Sequence, residues 1–264
     1  MIRYLKTCLL FLPALLLFSC ISPKSTIYLQ NKEGNKDYKN VYTKANVVTE
    51  NYKINTNDYL YIRVITENEK VAAFYNLSSG SGNNSNMMMQ QSGGMGAKMY
   101  SYLVDDNGEI DFPSLGKVKV KGLTRSEVKQ KFNEILKKQI DHFTLMVELS
   151  DTYFTILGEA KAGKYSMSKD QISIYEAIAI SGDLTIYSKR KQVKIIRPTM
   201  GGVSIVKTID LTDKNLLNSE ESYIYPNDLI YVEPIKAKIF GFGETFSLGI
   251  VTSLISFYLL LKTF

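Results

Sequence analysis

The sequence predicts an α+β chain of two modules followed by a short, charge-free C-terminal segment. Three observations carry this. Strand-period alternation begins after Asn57-Asp58 and returns after Asn227-Asp228, two helices open on capping residues, and no charge interrupts Phe246 to Leu261. The 264 residues leave room for two small domains rather than one large core.

The chain begins with a leader, expected to span 1–19. Arg3 and Lys6 supply its positive start and Leu9 to Phe18 its apolar run. Leu17-Phe18-Ser19-Cys20 reads as the site where a bacterial lipoprotein is cut before an acylated cysteine. An uncleaved transmembrane anchor is the competing reading, but the run is short for a span and Pro13 interrupts it. Cleavage removes Cys8 and leaves about 245 residues with Cys20 as their single cysteine, so no disulfide forms within the mature chain. The expected modification is a covalent lipid at Cys20, palmitate among its acyl chains, and no other cofactor is expected. Acyl chains anchor because each buried methylene contributes about 0.8 kcal/mol. Ile21-Ser22 stands where an Asp would signal retention in the inner membrane. The expected location is therefore the outer membrane, lipid-anchored, with most of the chain periplasmic.

Formal charge is +6, of which Arg3 and Lys6 carry two. The mature chain is only mildly basic, which suits solubility and excludes the dense basic clusters of nucleic-acid binders. Residues 20–50 are polar with isolated hydrophobes and read as a lipidated tether.

The first module is expected over 51–150. Leu60, Ile62 and Val64 alternate with Tyr59, Tyr61 and Arg63, the period of a half-buried strand entered through a turn at Asn57. Asn tolerates the left-handed backbone that such a turn needs, both here and at Asn227. Residues 77–99 form a low-complexity insert of Ser, Gly, Asn, Gln and Met, read as a mobile loop rather than a copper site because no His or Cys stands beside Met87-Met88-Met89. Asp105-Asp106-Asn107-Gly108 predicts a hairpin joining Tyr100–Val104 to Glu109–Phe112. It lacks the further ligands of a calcium loop. Thr124 with Glu127 writes a capping box for a helix that buries Val128, Phe132, Ile135 and Leu136. A strand follows, with Phe143, Leu145, Val147 and Leu149 inward.

The second module is expected over 151–235. Phe154–Leu157 and Gly163–Met167 read as strands, Ser173 and Glu176 cap a helix that stops at Gly182, and Val193–Arg197, Val203–Ile209 and Leu229–Val232 read as further strands. Two strands, a helix and then strands is the order of a β-grasp unit, though other α+β folds share it. Gly158-Glu159-Ala160-Lys161-Ala162-Gly163-Lys164 spells most of a phosphate-binding loop. Tyr165 occupies the magnesium-ligating position and a strand follows where a helix N-terminus is needed, so nucleotide hydrolysis is rejected. His142 is the only histidine, which rules out a zinc site with two of them in one chain. No nucleophile elbow or zincin motif is present, and no catalytic or metal-ligating residue is assigned.

The segment 244–264 is expected to be a helix. Its sixteen uncharged residues would span about 24 Å, near the thickness of an outer membrane. At 100° per residue Thr245, Gly249, Thr252, Ser256 and Thr263 share one narrow sector, while Phe246, Ile250, Ile255, Phe257 and Leu261 lie elsewhere. A lone helix in lipid gains nothing from such a stripe. In a ring of copies the stripe can line water while the apolar faces meet lipid and neighbours. A single helical anchor, with its hydroxyls bonded to its own carbonyls, is the alternative.

These pieces in this order resemble the bacterial polysaccharide export family of outer-membrane lipoproteins, the Wza-like exporters. In the first module the resemblance rests on Asn57-Asp58-Tyr59-Leu60, the stretch from Val104 to Gly116, and Val120-Lys121-Gly122-Leu123-Thr124. In the second it rests on Leu157-Gly158-Glu159-Ala160, Gly163-Lys164-Tyr165, Glu176 to Ala179, Ser181-Gly182-Asp183 and Tyr225 to Val232. Asn57 and Asn227 replace the family's usual Gly, and His142 stands where Pro is common. The resemblance implies a polysaccharide export domain, then one soluble-ligand-binding β-grasp domain, then an amphipathic helix crossing the outer membrane. With one β-grasp copy, the assembly is expected to be shorter than the largest family members. It implies a homo-oligomeric ring that passes capsular or extracellular polysaccharide to the cell surface without a covalent step. An inner-membrane polysaccharide co-polymerase, often a tyrosine autokinase, is the implied partner, and no nucleic acid is. The alternatives are a monomeric periplasm-facing glycan-binding or scaffold lipoprotein and an envelope glycosidase.

Overall fold

The computed structural model describes residues 23–31, 52–76, 98–199, 201–239, 252–253 and 256–260. Two turns of the same construction open the first strand of one module and the last strand of the other. Asn57 and Asn227 both take the left-handed backbone expected of them, at φ 68° and 69°. The next residue in each case, Asp58 or Asp228, is buried and accepts the backbone N–H three positions back, from Asn55 at 2.8 Å and from Tyr225 at 2.9 Å. The carboxylate thus closes the turn that the left-handed residue begins.

From the first turn runs β1 (Tyr59–Ile65), with Leu60, Ile62 and Val64 buried. A short helix the periodicity does not reveal, α1 (Glu69–Tyr75), is capped by the Asn68 side chain. Asn76, at its end, donates to Val64 O and accepts from Val64 N, both at 2.8 Å, acting as a one-residue strand along β1. After it come β2 (Tyr102–Leu103), β3 (Glu109–Phe112), β4 (Gly116–Lys119), α2 (Arg125–Leu136) and β5 (Thr144–Ser150). The antiparallel sheet has the order β2-β1-β5.

The structure corrects the expected hairpin across Asn107-Gly108. The turn forms, with Asp105 N–H bonded to Glu109 O and Gly108 N–H to Asp105 O, but β2 pairs with β1 and β3 pairs with β4. Ser114 and Gly116, at φ 61° and 67°, make a second tight turn that folds β4 back onto β3 and takes its ladder. The α2 capping box is complete in both directions. Phe132 buries its ring edge-on against Phe112, centroids 5.1 Å apart, and Tyr102 packs on the other side of Phe112.

The second module contains β6 (Tyr153–Gly158), β7 (Gly163–Ser166), β8 (Ile172–Ser173), α3 (Ile174–Ser181), β9 (Ser188–Pro198), β10 (Ser204–Ile209), β11 (Tyr223–Ile224) and β12 (Leu229–Pro234). The five-stranded sheet has the order β10-β9-β12-β6-β7, with β12 parallel to β6 and every other pair antiparallel. A last strand inserted parallel to the first, with hairpins outside, is the β-grasp connectivity. Ser173 accepts Glu176 N–H at the start of α3, and Gly182, at φ 90°, ends it. Separate apolar cores fill the modules, one around Phe112 and Phe132, the other around Phe154, Ile174 and Ile230.

Replacing Asn57 or Asn227 by Ala, which has no polar side chain to support a left-handed turn, is expected to cost about 1–2 kcal/mol, whereas Gly is tolerated better at both and best at 57, because the Asn227 side chain also bonds Tyr52. Urea unfolding of each pair of variants checks this.

Candidate functional site

Residues 23–31, expected to be part of a tether, instead pack on the second module. Pro23–Ser25 makes a 3-10 turn, and the Gln30 amide donates to Lys24 O and Ile27 O at 2.6 and 2.7 Å, folding the strap upon itself. Its backbone then joins the loop after β10, through Leu29 N–H to Leu211 O and Gln30 N–H to Thr212 O. The Tyr28 hydroxyl donates to Asp183 Oδ1 at 2.6 Å, and its ring stands edge-on to Tyr175. Burial, reinforced by Asp183 and opposed by Arg190, pushes this hydroxyl up to about 12.

Under the ring lies Arg190, only 5 % exposed. Its guanidinium sits 4.9 Å from the Tyr28 centroid, and Nη2 donates to Leu184 O at 3.2 Å. A buried cation is favourable beside an electron-rich ring and a hydroxyl that leads to a carboxylate. The strap therefore covers this charge with an aromatic face. Composition gave no sign of this, because Tyr28 is one hydrophobe in a polar stretch.

The chain leaves the second module beside the 183–187 loop, which carries Asp183. Ile235 N–H bonds Tyr187 O at 2.8 Å, and the final turn α4 (Lys236–Ile239) carries Lys238, whose Nζ is 2.6 Å from Glu159 Oε1. The other Glu159 oxygen accepts from Thr185 Oγ1 at 2.8 Å. Thus the 183–187 loop holds the N-terminal strap at Asp183 and the C-terminal exit at Thr185 and Tyr187, with Ile186 exposed between them.

Burial works to raise the Glu159 pKa, but the bonds from Lys238 and Thr185 outweigh it and hold the carboxyl below its usual range. The residues that spell a near-phosphate loop serve this packing instead. At Gly158, φ 95°, a Cβ would stand 2.0 Å from Val232 O; the glycine admits β12, not a phosphate.

The two Asn-Asp turns meet where the modules join. The Tyr52 hydroxyl donates to Asp58 Oδ2 at 2.8 Å, and its ring stacks on Tyr225, centroids 6.4 Å apart. Burial, with the Asp58 charge behind it, raises the Tyr52 pKa well above the ordinary tyrosine value. Burial likewise raises Asp58. Arg197 lies 4.2 Å from the Tyr225 centroid and grips the fully buried Asp228 with two bonds, Nε to Oδ1 at 2.9 Å and Nη2 to Oδ2 at 2.7 Å.

Nearby, Arg125 at the start of α2 reaches both Glu148 (2.7 Å) and Asp170 (3.1 Å), tying the modules across a cavity of about 320 Å³. The sequence showed the repeated turns but not that they face one another.

Of the residues expected to act at the membrane, Cys20, Thr245, Gly249 and Thr263 lie outside the described residues, as does the 77–97 part of the insert. Thr252 and Ser256 are helical and exposed, and Phe257 to Leu260 are exposed in the same stretch. Among the described residues no helix is long and apolar enough to cross a membrane, and no group of three or more His, Cys, Asp or Glu is placed to hold a metal ion. His142 is exposed.

Because the Glu159 pKa is depressed on folding, its contribution is full above about pH 4.5, the range where an unfolded Glu is ionised, and fades as pH falls through the folded value. Glu159→Gln is therefore expected to lower stability at pH 7 but to match wild type near pH 3. Thermal unfolding at the two pH values tests it. Separately, Arg197→Ala strands the buried Asp228 charge and is expected to cost about 3–5 kcal/mol in urea unfolding.

Residues 46–150 match the family model of the polysaccharide biosynthesis/export proteins. No curated protein matches the chain. The matched segment holds the first Asn-Asp turn, the β3–β4 hairpin and the capped α2, the same motifs that carry the resemblance in the sequence. The chain carries a polysaccharide biosynthesis/export domain, consistent with the Wza-like exporter family.

Proposed function

We propose that this protein is an outer-membrane lipoprotein subunit that assembles into a ring and conducts a capsular or extracellular polysaccharide from the periplasm to the cell surface. The observation that supports this is the joining of residues 23–31 and 235–238 to one loop of the second module, in a protein whose export domain points to polysaccharide cargo. Cys20 lies three residues before Pro23, so a lipid there is held within about 10 Å of the strap. The C-terminal segment follows α4, whose Lys238 pairs with Glu159 next to the same loop. Lipid and helix then enter the membrane beside the second module, and the export domain stands further into the periplasm.

In this arrangement the Thr245, Gly249, Thr252, Ser256 and Thr263 stripe lines the lumen of a helical pore. A moving polymer needs weak, repeated contacts, which hydroxyls and water provide. No catalytic step is assigned to the chain. The inner-membrane partner is a polysaccharide co-polymerase or tyrosine autokinase docking on the periplasmic end.

The cavity at the module junction favours a second reading, a monomeric glycan-binding or scaffold lipoprotein that uses the C-terminal segment only as an anchor. The mass of the detergent-extracted full chain separates the two. A ring is expected, with Cys introduced at Thr252 or Ser256 labelled from outside by a membrane-impermeant thiol reagent. Deleting the chain from Phe246 onward is expected to abolish export and leave both modules folded. A single-chain mass with both positions protected would overturn the ring.

A further inference from the structure

The sheet of the second module has two outer strands, β10 and β7, and their free edges differ in kind. The β10 edge carries a single charge, Lys207, fourth of its six residues. Val203, Ile205 and Val206 are 69 %, 48 % and 57 % exposed, and the stretch from Val203 to Val206 holds no charge. Soluble proteins protect such an edge with charge, proline or a bulge, because its open N–H and C=O groups pair readily with another strand. Beside it, the 3-10 turn Glu220–Ser222 packs against β10 and exposes Glu220 and Glu221.

The β7 edge is bordered by cations. Lys161, Lys164 and Lys169 are exposed on and around it, and the Lys164 ammonium lies over the Tyr153 ring. One flank of the sheet thus exposes Ile205 and Val206 beside one cation, Lys207, and an acidic border, and the other is basic.

Strand direction makes the two flanks fit. β10 is antiparallel to β9, β9 to β12 and β7 to β6, while β12 and β6 are parallel. β10 and β7 therefore point in opposite directions. A copy rotated about an axis running along the strands keeps those directions, so β10 of one chain meets β7 of the next as an antiparallel pair.

From these observations we infer that the subunits join head to tail through the second module, with β10, Glu220 and Glu221 of one copy against β7, Lys161, Lys164 and Lys169 of the next. An interface between two different surfaces of one chain closes into a ring when the rotation allows it. Complementary charge fixes the partner and the register, and the strand edge supplies the contact. This inference rests on the ring proposed above and names the surface that closes it.

The test mixes two full-length variants in detergent under mild oxidation, Val206→Cys in one chain and Ser166→Cys or Lys164→Cys in the other. A crosslinked heterodimer is expected in the mixture and in neither variant alone, with the unmodified chain as control for Cys20. Glu220→Lys with Glu221→Lys is expected to reduce the assembled fraction about tenfold or more at fixed concentration. Adding Lys161→Glu and Lys164→Glu to the same chain should restore it, an outcome that a folding defect would not produce. A ring that persists in the acidic-to-basic variant with no crosslink places the interface elsewhere and overturns the inference while leaving the ring intact. A monomeric unmodified chain overturns both.

Discussion

The carboxylate of Asp228 is the group on which the architecture turns. It is fully buried, so it must be paired, and its partners come from three directions. Arg197 supplies two charge-assisted bonds from β9, Tyr225 supplies its backbone N–H, and Asn227 provides the left-handed step that aims the carboxylate inward. The Asp228 carbonyl also accepts from Thr155 N–H on β6. Around one residue, then, β9, β12 and β6 are fixed at the centre of the sheet. The guanidinium that neutralises Asp228 also covers Tyr225, and Tyr225 is the surface on which Tyr52 of the first module stacks. The junction between the modules is therefore an outgrowth of the buried pair and not a separate device.

The first module repeats this turn with weaker means. Asp58 is buried beside a tyrosine hydroxyl in place of a guanidinium, so burial is less fully compensated and its pKa rises. The donor, Tyr52, is itself part of the junction. The two turns are hence linked through a ring stack and a hydrogen bond, and Arg125 crosses between the modules a short distance away. Aromatic stacking with a buried carboxylate thus gives the two modules a directional junction.

The strap shows how a polar sequence can be structural. Arg190 is buried on β9 and needs cover, and Tyr28 provides both an aromatic face and a hydroxyl directed at Asp183. What holds the strap is a cation–π contact and hydrogen bonds to residues far along the chain, interactions with no local signature. The 183–187 loop then connects this cover to the Glu159–Lys238 pair at the chain's exit.

Local rules made much of the fold readable. The alternation at Leu60, Ile62 and Val64, the capping box at Thr124 and Glu127, the stop at Gly182 and the left-handed Asn57 and Asn227 all follow from interactions within a few residues. Those at Asn57, Leu60 to Val64 and Thr124 fall within the export-domain segment that the family match covers. The β3–β4 pairing was not legible, because Asn107-Gly108 and Ser114-Gly116 both make tight turns and the ladder follows the second. Nor was the docking of Tyr28 on Arg190, or the stacking of Tyr52 on Tyr225, since each joins residues more than 150 apart in sequence. Sequence alone determined most of the longer elements and where they begin, though not α1, β4 or the strap. Tertiary structure decided their partners, because a buried charge or an exposed ring is satisfied by whatever the folded chain brings within reach.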